Sequence, residues 1–210
     1  MTVRQAPLIV LCLALGCASP HDPNRLELPR DARPPHVATW NEDGTVNALI
    51  EIPAGTNAKW EATRDYSALA WERRDDGTLR VVQYLAYPAN YGMVPGTRLD
   101  EATGGDGDPL DILVLGRSRE RGALLPVRVI GVLALLDDGE VDDKLLAVPR
   151  NGVFSEIETV EQLDERFPGA LSILAAWFMH YKGPGRIEVK GYRSAEAAIA
   201  LIQAARPQPE

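Results

Sequence analysis

Three aspartates stand close together in Gly105-Asp106-Gly107-Asp108-Pro109-Leu110-Asp111. Gly104, Gly105 and Gly107 let the backbone bend tightly, and Pro109 stiffens it. Carboxylates this close repel one another, and divalent cations would turn that repulsion into binding. The loop reads as a hard-cation site. It is not an EF-hand: counted from Asp106, the position that needs glycine holds Asp111, and the one that needs glutamate holds Arg117. An aspartyl-phosphate phosphatase would place Asp-x-Asp at the end of an apolar strand, whereas Thr103-Gly104-Gly105 precede it here. A solvated acidic turn stays open for the loop taken alone.

Other acids join it. Asp137, Asp138, Glu140, Asp142 and Asp143 form a second acidic turn after an apolar run, and Glu51 and Glu61 fall near strand ends. Interleaved are Lys59, Arg80, Lys144 and Lys182, with Tyr87, Tyr91 and Tyr181. Singly, each group fits a solvated turn. Together they suit a phosphate-rich, metal-loaded substrate. The metals would neutralise phosphate oxygens and activate water, and the cations would hold the leaving group. A net charge of −8 argues against a nucleic-acid partner. There is no P-loop, and no Gly-x-Gly-x-x-Gly follows a strand.

Several short elements must position these residues. Strands are expected at 46–52, 79–86, 110–115, 126–136, 144–148 and 186–190, with a turn at 87–92. Thr159 and Gln162 fit a capping box. Leu171, Leu174, Ala175, Phe178 and Tyr181 mark one face of a helix over about 168–182, and Ser194 caps a last, alanine-rich helix. Strands followed by helices imply an α+β domain around a small β-barrel.

At this point a family resemblance is plain. Glu51-Ile52-Pro53-Ala54, Lys59-Trp60-Glu61, Tyr87-Pro88-Ala89-Asn90-Tyr91-Gly92, the aspartate loop, Gly131-Val132-Leu133, Asp137-Asp138-Gly139-Glu140, Asp142-Asp143-Lys144 and Tyr181-Lys182 resemble, in order, the motifs of family I soluble inorganic pyrophosphatases. The resemblance implies a five-stranded OB-like β-barrel with flanking helices, and Mg2+-dependent hydrolysis of pyrophosphate to two phosphates with several Mg2+ ions per site. It implies that Asp106, Asp111 and Asp142 hold the main metals, that Asp137 holds one accompanying the substrate, and that Asp108 is the general base. Glu51 and Glu61 would act as outer acids. Lys59, Arg80, Tyr91, Tyr181 and Lys182 would hold the two phosphates, supported by Tyr87 and Lys144. Arg80 is preferred to Arg73 and Arg74 because Gly77-Thr78-Leu79-Arg80-Val81 resembles the family's strand. Trp60 stands where many bacterial members have tyrosine. The resemblance also implies a homo-oligomer. Two alternatives stay open: hydrolysis of another small phosphoanhydride, and a non-catalytic metal- or phosphate-binding module.

The N-terminal region has a different character. Arg4 precedes a short apolar core, Leu8 to Leu15, too short to span a bilayer. Leu13-Ala14-Leu15-Gly16-Cys17 resembles the lipobox of bacterial lipoprotein signal peptides. The expected organisation is a signal peptide at 1–16, a Pro-rich tether at 17–45 and the catalytic domain at 46–210. Cys17 would carry lipid, and Cys12 would leave with the signal, so no disulfide is expected. Location in a bacterial cell envelope follows, on the outer membrane or periplasmic face. A plain secretory signal, or a cytoplasmic protein with a mis-called start, are the alternatives.

Overall fold

The computed structural model describes residues 22–99 and 107–205. Its strands are β1 (Arg25–Glu27), β2 (Val46–Ile52), β3 (Trp60–Ala62), β4 (Ala68–Trp71), β5 (Asn90–Met93), β6 (Asp111–Val114), β7 (Leu124–Asp137), β8 (Glu140–Val141), β9 (Lys144–Pro149) and β10 (Ile187–Arg193). The helices are α1 (Val160–Arg166), α2 (Ala170–His180) and α3 (Ala195–Ala204). None of the described helices is long and apolar enough to cross a membrane.

The pairings close on themselves. β7 pairs with β2, β2 with β5, β5 with β6, β6 with β9, and β9 returns to β7. This five-strand ring matches the expected OB-like α+β architecture. β7 serves several partners because it changes neighbours along its 14 residues. Its start lies on β2, its middle on β9 and its end on β10. A register shift between Val129 and Gly131 lets the strand bend there. Gly131 leaves room for Val160 of α1: an added Cβ would lie 2.5 Å from that side chain.

Every residue of β2 is buried, as is every residue of β5 and β9. Alternate residues feed two apolar clusters, one on each face of the sheet. Leu49, Leu113, Leu133 and Leu146 join α1 and α2 in one cluster. Ala48, Ile50, Ile112 and Ala147 join Ala198 and Ile202 of α3 in the other. The helix starts follow the sequence: Thr159 Oγ1 accepts from Gln162 N at 3.2 Å, and Ser194 Oγ accepts from Ala197 N at 3.4 Å.

Three expectations need correction. The segment 87–92 is not all turn, because Asn90–Met93 is a central strand of the ring. Asn90 makes this possible: its side chain donates to Val114 O and Arg117 O and accepts from Ala54 N and Arg119 N. Residues 79–86 do not form a regular strand. Their strand-like pairing is confined to the isolated Leu79–Arg73 and Val81–Ala58 bridges. Third, residues 22–45 are not a loose tether. Arg25–Glu27 adds a strand beside β4, Leu28 is buried in the core, and Thr39 Oγ1 donates to Pro95 O at 2.9 Å. Apolar residues spaced among the prolines anchor this segment.

The pairing of β2 with β5 carries a sharp test. A Cβ added at Gly92 would lie 1.9 Å from the Leu49 carbonyl oxygen, which is backbone and cannot yield cheaply. Gly92→Ala should cost about 3 kcal/mol or more in urea unfolding. A loss below about 1 kcal/mol would contradict this register.

Candidate active site

The site is built where strand ends gather acids. Asp111 opens β6 and Lys144 opens β9, and these strands run parallel with Ile112 opposite Leu145. The two side chains therefore meet: Lys144 Nζ lies 2.5 Å from Asp111 Oδ2 and also binds Asp142. Lys144 is only 3% exposed. Burial opposes its charge, but Asp111 and Asp142 more than offset this and hold the ammonium above its ordinary range. Burial raises the Asp142 carboxyl, and Lys144 opposes that shift.

Glu51 projects from β2 into the same region and is 4% exposed. It accepts a hydrogen bond from Ala62 N at 2.8 Å. Burial pushes its carboxyl up to about 8; Lys59 opposes the shift and Asp111 adds to it. Lys59 pairs with Glu61 at 2.7 Å and lies 5.1 Å above the Tyr91 ring. Burial works against the Lys59 charge, and Tyr87, Glu61 and Glu51 outweigh it. Tyr91, on β5, is held far above its usual range by burial and then by Asp111. Tyr87 packs beside it with ring centroids 5.6 Å apart.

On the next side, Asp137 ends β7 and binds Lys182, which follows α2. Asp138 and Gly139 both have positive φ, the geometry of a tight two-residue turn into β8. Arg80 pairs with Glu72 at 2.6 Å. It shares a cavity of about 280 Å3 with Tyr181 and Lys182, and with Arg74 and Arg186. Arg73 turns elsewhere and donates to Gly77 O. Tyr181 is stacked on Trp177 at 4.6 Å with an 11° interplanar angle.

Asp108 is exposed and opens onto a larger recess of about 680 Å3 with Arg64, Tyr66 and Arg98. Tyr66 adopts φ 53°, which is uncommon for a tyrosine. Its phenol is raised by burial and then by Asp108, and Glu51 contributes as well. Asp106 lies outside the described residues, as does Cys17. Among the described residues no group of three or more potential metal ligands converges. What is described still suits a hard cation. Asp111 and Asp142 share one ammonium, and Asp137 Oδ1 is buried without a hydrogen-bond partner.

A family model described as inorganic pyrophosphatase matches residues 48–208. The chain belongs to the inorganic pyrophosphatase family. It is 34% identical over 164 residues to an inorganic pyrophosphatase of Campylobacter jejuni, covering 76% of this chain and 89% of that relative. It is 35% identical to the mitochondrial inorganic pyrophosphatase of Saccharomyces cerevisiae, covering 67% of this chain but only 51% of the yeast protein. The solved inorganic pyrophosphatase of Helicobacter pylori superposes with a TM-score of 0.68 at 30% identity, covering 80% of this chain and 95% of that one.

Membership leaves several contributing residues without a sequence signal. Glu72 orients Arg80, and Trp177 backs both Tyr181 and Tyr87. Arg121 lies 4.0 Å from the Trp60 ring and donates to Glu51 O, fixing the strand behind the acid. Arg121 is distant in sequence from Glu51, and Trp177 is distant from Tyr87 though only one helical turn from Tyr181. Tyr66 was equally unmarked.

Glu51 yields a pH test. Its folded value of about 8 stands above the ordinary 4.5, so the native state holds the proton more tightly. Its contribution is complete below about pH 4.5 and is lost at roughly 1.4 kcal/mol per pH unit up to about pH 8. Glu51→Gln should therefore gain stability relative to wild type as the pH of metal-free protein rises through this window. Urea melts showing a constant gap would contradict the burial of a charged Glu51.

Proposed function

We propose that the chain hydrolyses inorganic pyrophosphate to two phosphates with Mg2+ as cofactor. The observation that carries this reading is the interleaving of Asp111, Asp137, Asp142, Glu51 and Glu61 with Lys59, Lys144, Lys182 and Arg80 around one rim. Asp106, Asp111 and Asp142 would hold the main cations, and Asp137 a further one. Bound there, Mg2+ supplies Lewis acidity and lowers the pKa of water towards neutrality.

The chain's own residues do the rest. Lys59, Arg80, Tyr91, Tyr181 and Lys182 hold the two phosphoryl groups and fix them for in-line attack. Asp108 accepts a proton from the attacking water. The new O–P bond forms as the bridging P–O bond breaks, and the departing phosphate keeps the electron pair. Arg80, Lys59 and Lys182 stabilise that charge. Glu72 holds the Arg80 guanidinium, so the fork is oriented before substrate arrives.

Purified protein should release two phosphates per pyrophosphate with Mg2+ present and none with EDTA. Asp108→Asn should leave Mg2+ binding largely intact and lower kcat by roughly 10²-fold or more, the scale of a lost general base. Hydrolysis of other phosphoanhydrides or esters in preference to pyrophosphate would overturn the substrate assignment. An Asp108→Asn enzyme of undiminished kcat would overturn the role of that carboxylate.

We also propose lipid attachment at Cys17 after export, on the strength of Leu13-Ala14-Leu15-Gly16-Cys17. Since residues 22–45 pack on the domain, only the residues from Cys17 to Asp22 would separate lipid from folded protein, at most about 18 Å of chain. The catalytic domain would then lie close against the membrane. The mass of the N-terminal peptide from membrane fractions tests this: acylated Cys17 supports it, and an intact Met1 overturns it.

A further inference from the structure

The lysines of the site are disposed in an unusual way. Each described acid assigned to metal is already occupied by an ammonium. Lys144 binds Asp111 and Asp142 together, and Lys182 binds Asp137. Lys59 repeats the arrangement on the outer acid Glu61. Lys144 is the most enclosed, with a side chain 4% exposed against 27% for Asp111 and 31% for Asp142. It lies behind the carboxylates, while their solvent sides remain open.

An ammonium shared by two carboxylates does what a divalent cation would do there, with half the charge. It cancels their repulsion and fixes their spacing. It is also tethered, so it cannot diffuse away. We propose that Lys144 is a built-in counter-ion that holds Asp111 and Asp142 together in the metal-free protein and competes with the incoming cation for both. This rests on the reading of these aspartates as metal ligands. Lys144 keeps the site folded when no metal is bound and lowers its metal affinity in return. Cation entry loosens the ammonium from its carboxylates and leaves its N–H donors available to phosphate oxygen. Metal and phosphate binding are thereby coupled through one side chain.

The test compares wild type with Lys144→Met by melting in EDTA and by calorimetric titration with Mg2+. The variant should melt lower in EDTA by roughly 5 °C or more. It should bind Mg2+ about tenfold more tightly, because a competing positive charge has gone. If the single variant does not fold without metal, the pair Asp142→Asn/Lys144→Met serves instead. That protein lacks both the excess acid and its counter-ion and should regain most of the lost melting temperature. Equal or weaker Mg2+ binding by Lys144→Met would overturn the proposal while leaving the metal site standing. A double variant as unstable as the single would do the same. Wild type that binds no Mg2+ at all would overturn the metal reading and this inference with it.

Discussion

Like charges brought together at a sheet rim are the constraint that the rest of this molecule answers to. Asp111 begins β6, Asp137 ends β7, Asp142 lies in the short link between β8 and β9, and Glu51 is buried on β2. Such a cluster opposes folding unless cations are supplied. The chain supplies its own, in the side chains of Lys144, Lys182 and Lys59. A hard cation supplies more charge per site and asks only for oxygen donors. The same carboxylates therefore face two kinds of partner. Under the proposed function, catalysis requires exchanging one for the other without losing the fold.

The ring of strands makes that exchange affordable. Its strands are buried on both faces, so the backbone that carries Glu51, Tyr91, Asp111 and Lys144 is fixed by packing rather than by the site itself. Asn90 ties β5 to the turns on either side through four hydrogen bonds. Trp177 performs the equivalent task for the phenols, stacked on Tyr181 and tilted against Tyr87, each at a ring-centroid distance of 4.6 Å. Rigid support fixes the spacing and orientation of the charged groups and phenols, which is what preorganised sites require.

Strands that are continuous apolar runs were legible from sequence. The expected 46–52, 126–136 and 144–148 correspond to β2, β7 and β9 within a few residues. The helix caps at Thr159 and Ser194 were legible for a local reason, since each acts on backbone three residues away. Asn90–Met93 was not legible, because its strand character comes from neighbours on both sides and its residue types favour turns. The N-terminal segment misled through composition: prolines suggested a tether, while Leu28, Thr39 and Pro34 are buried by contacts distant in sequence. Of the site, the charged residues could be listed from their spacing. Their pairings could not. Nothing local says that Lys144 bridges Asp111 or that Glu72 holds Arg80.

A crystal grown with Mn2+ in place of Mg2+ and without phosphate tests the central claim most directly. Mn2+ has the same taste for oxygen ligands and scatters anomalously. An anomalous peak coordinated by Asp111 and Asp142, with the Lys144 ammonium moved off both carboxylates, is the predicted result. A map with no peak there and Lys144 still bridging the pair at saturating Mn2+ would contradict it.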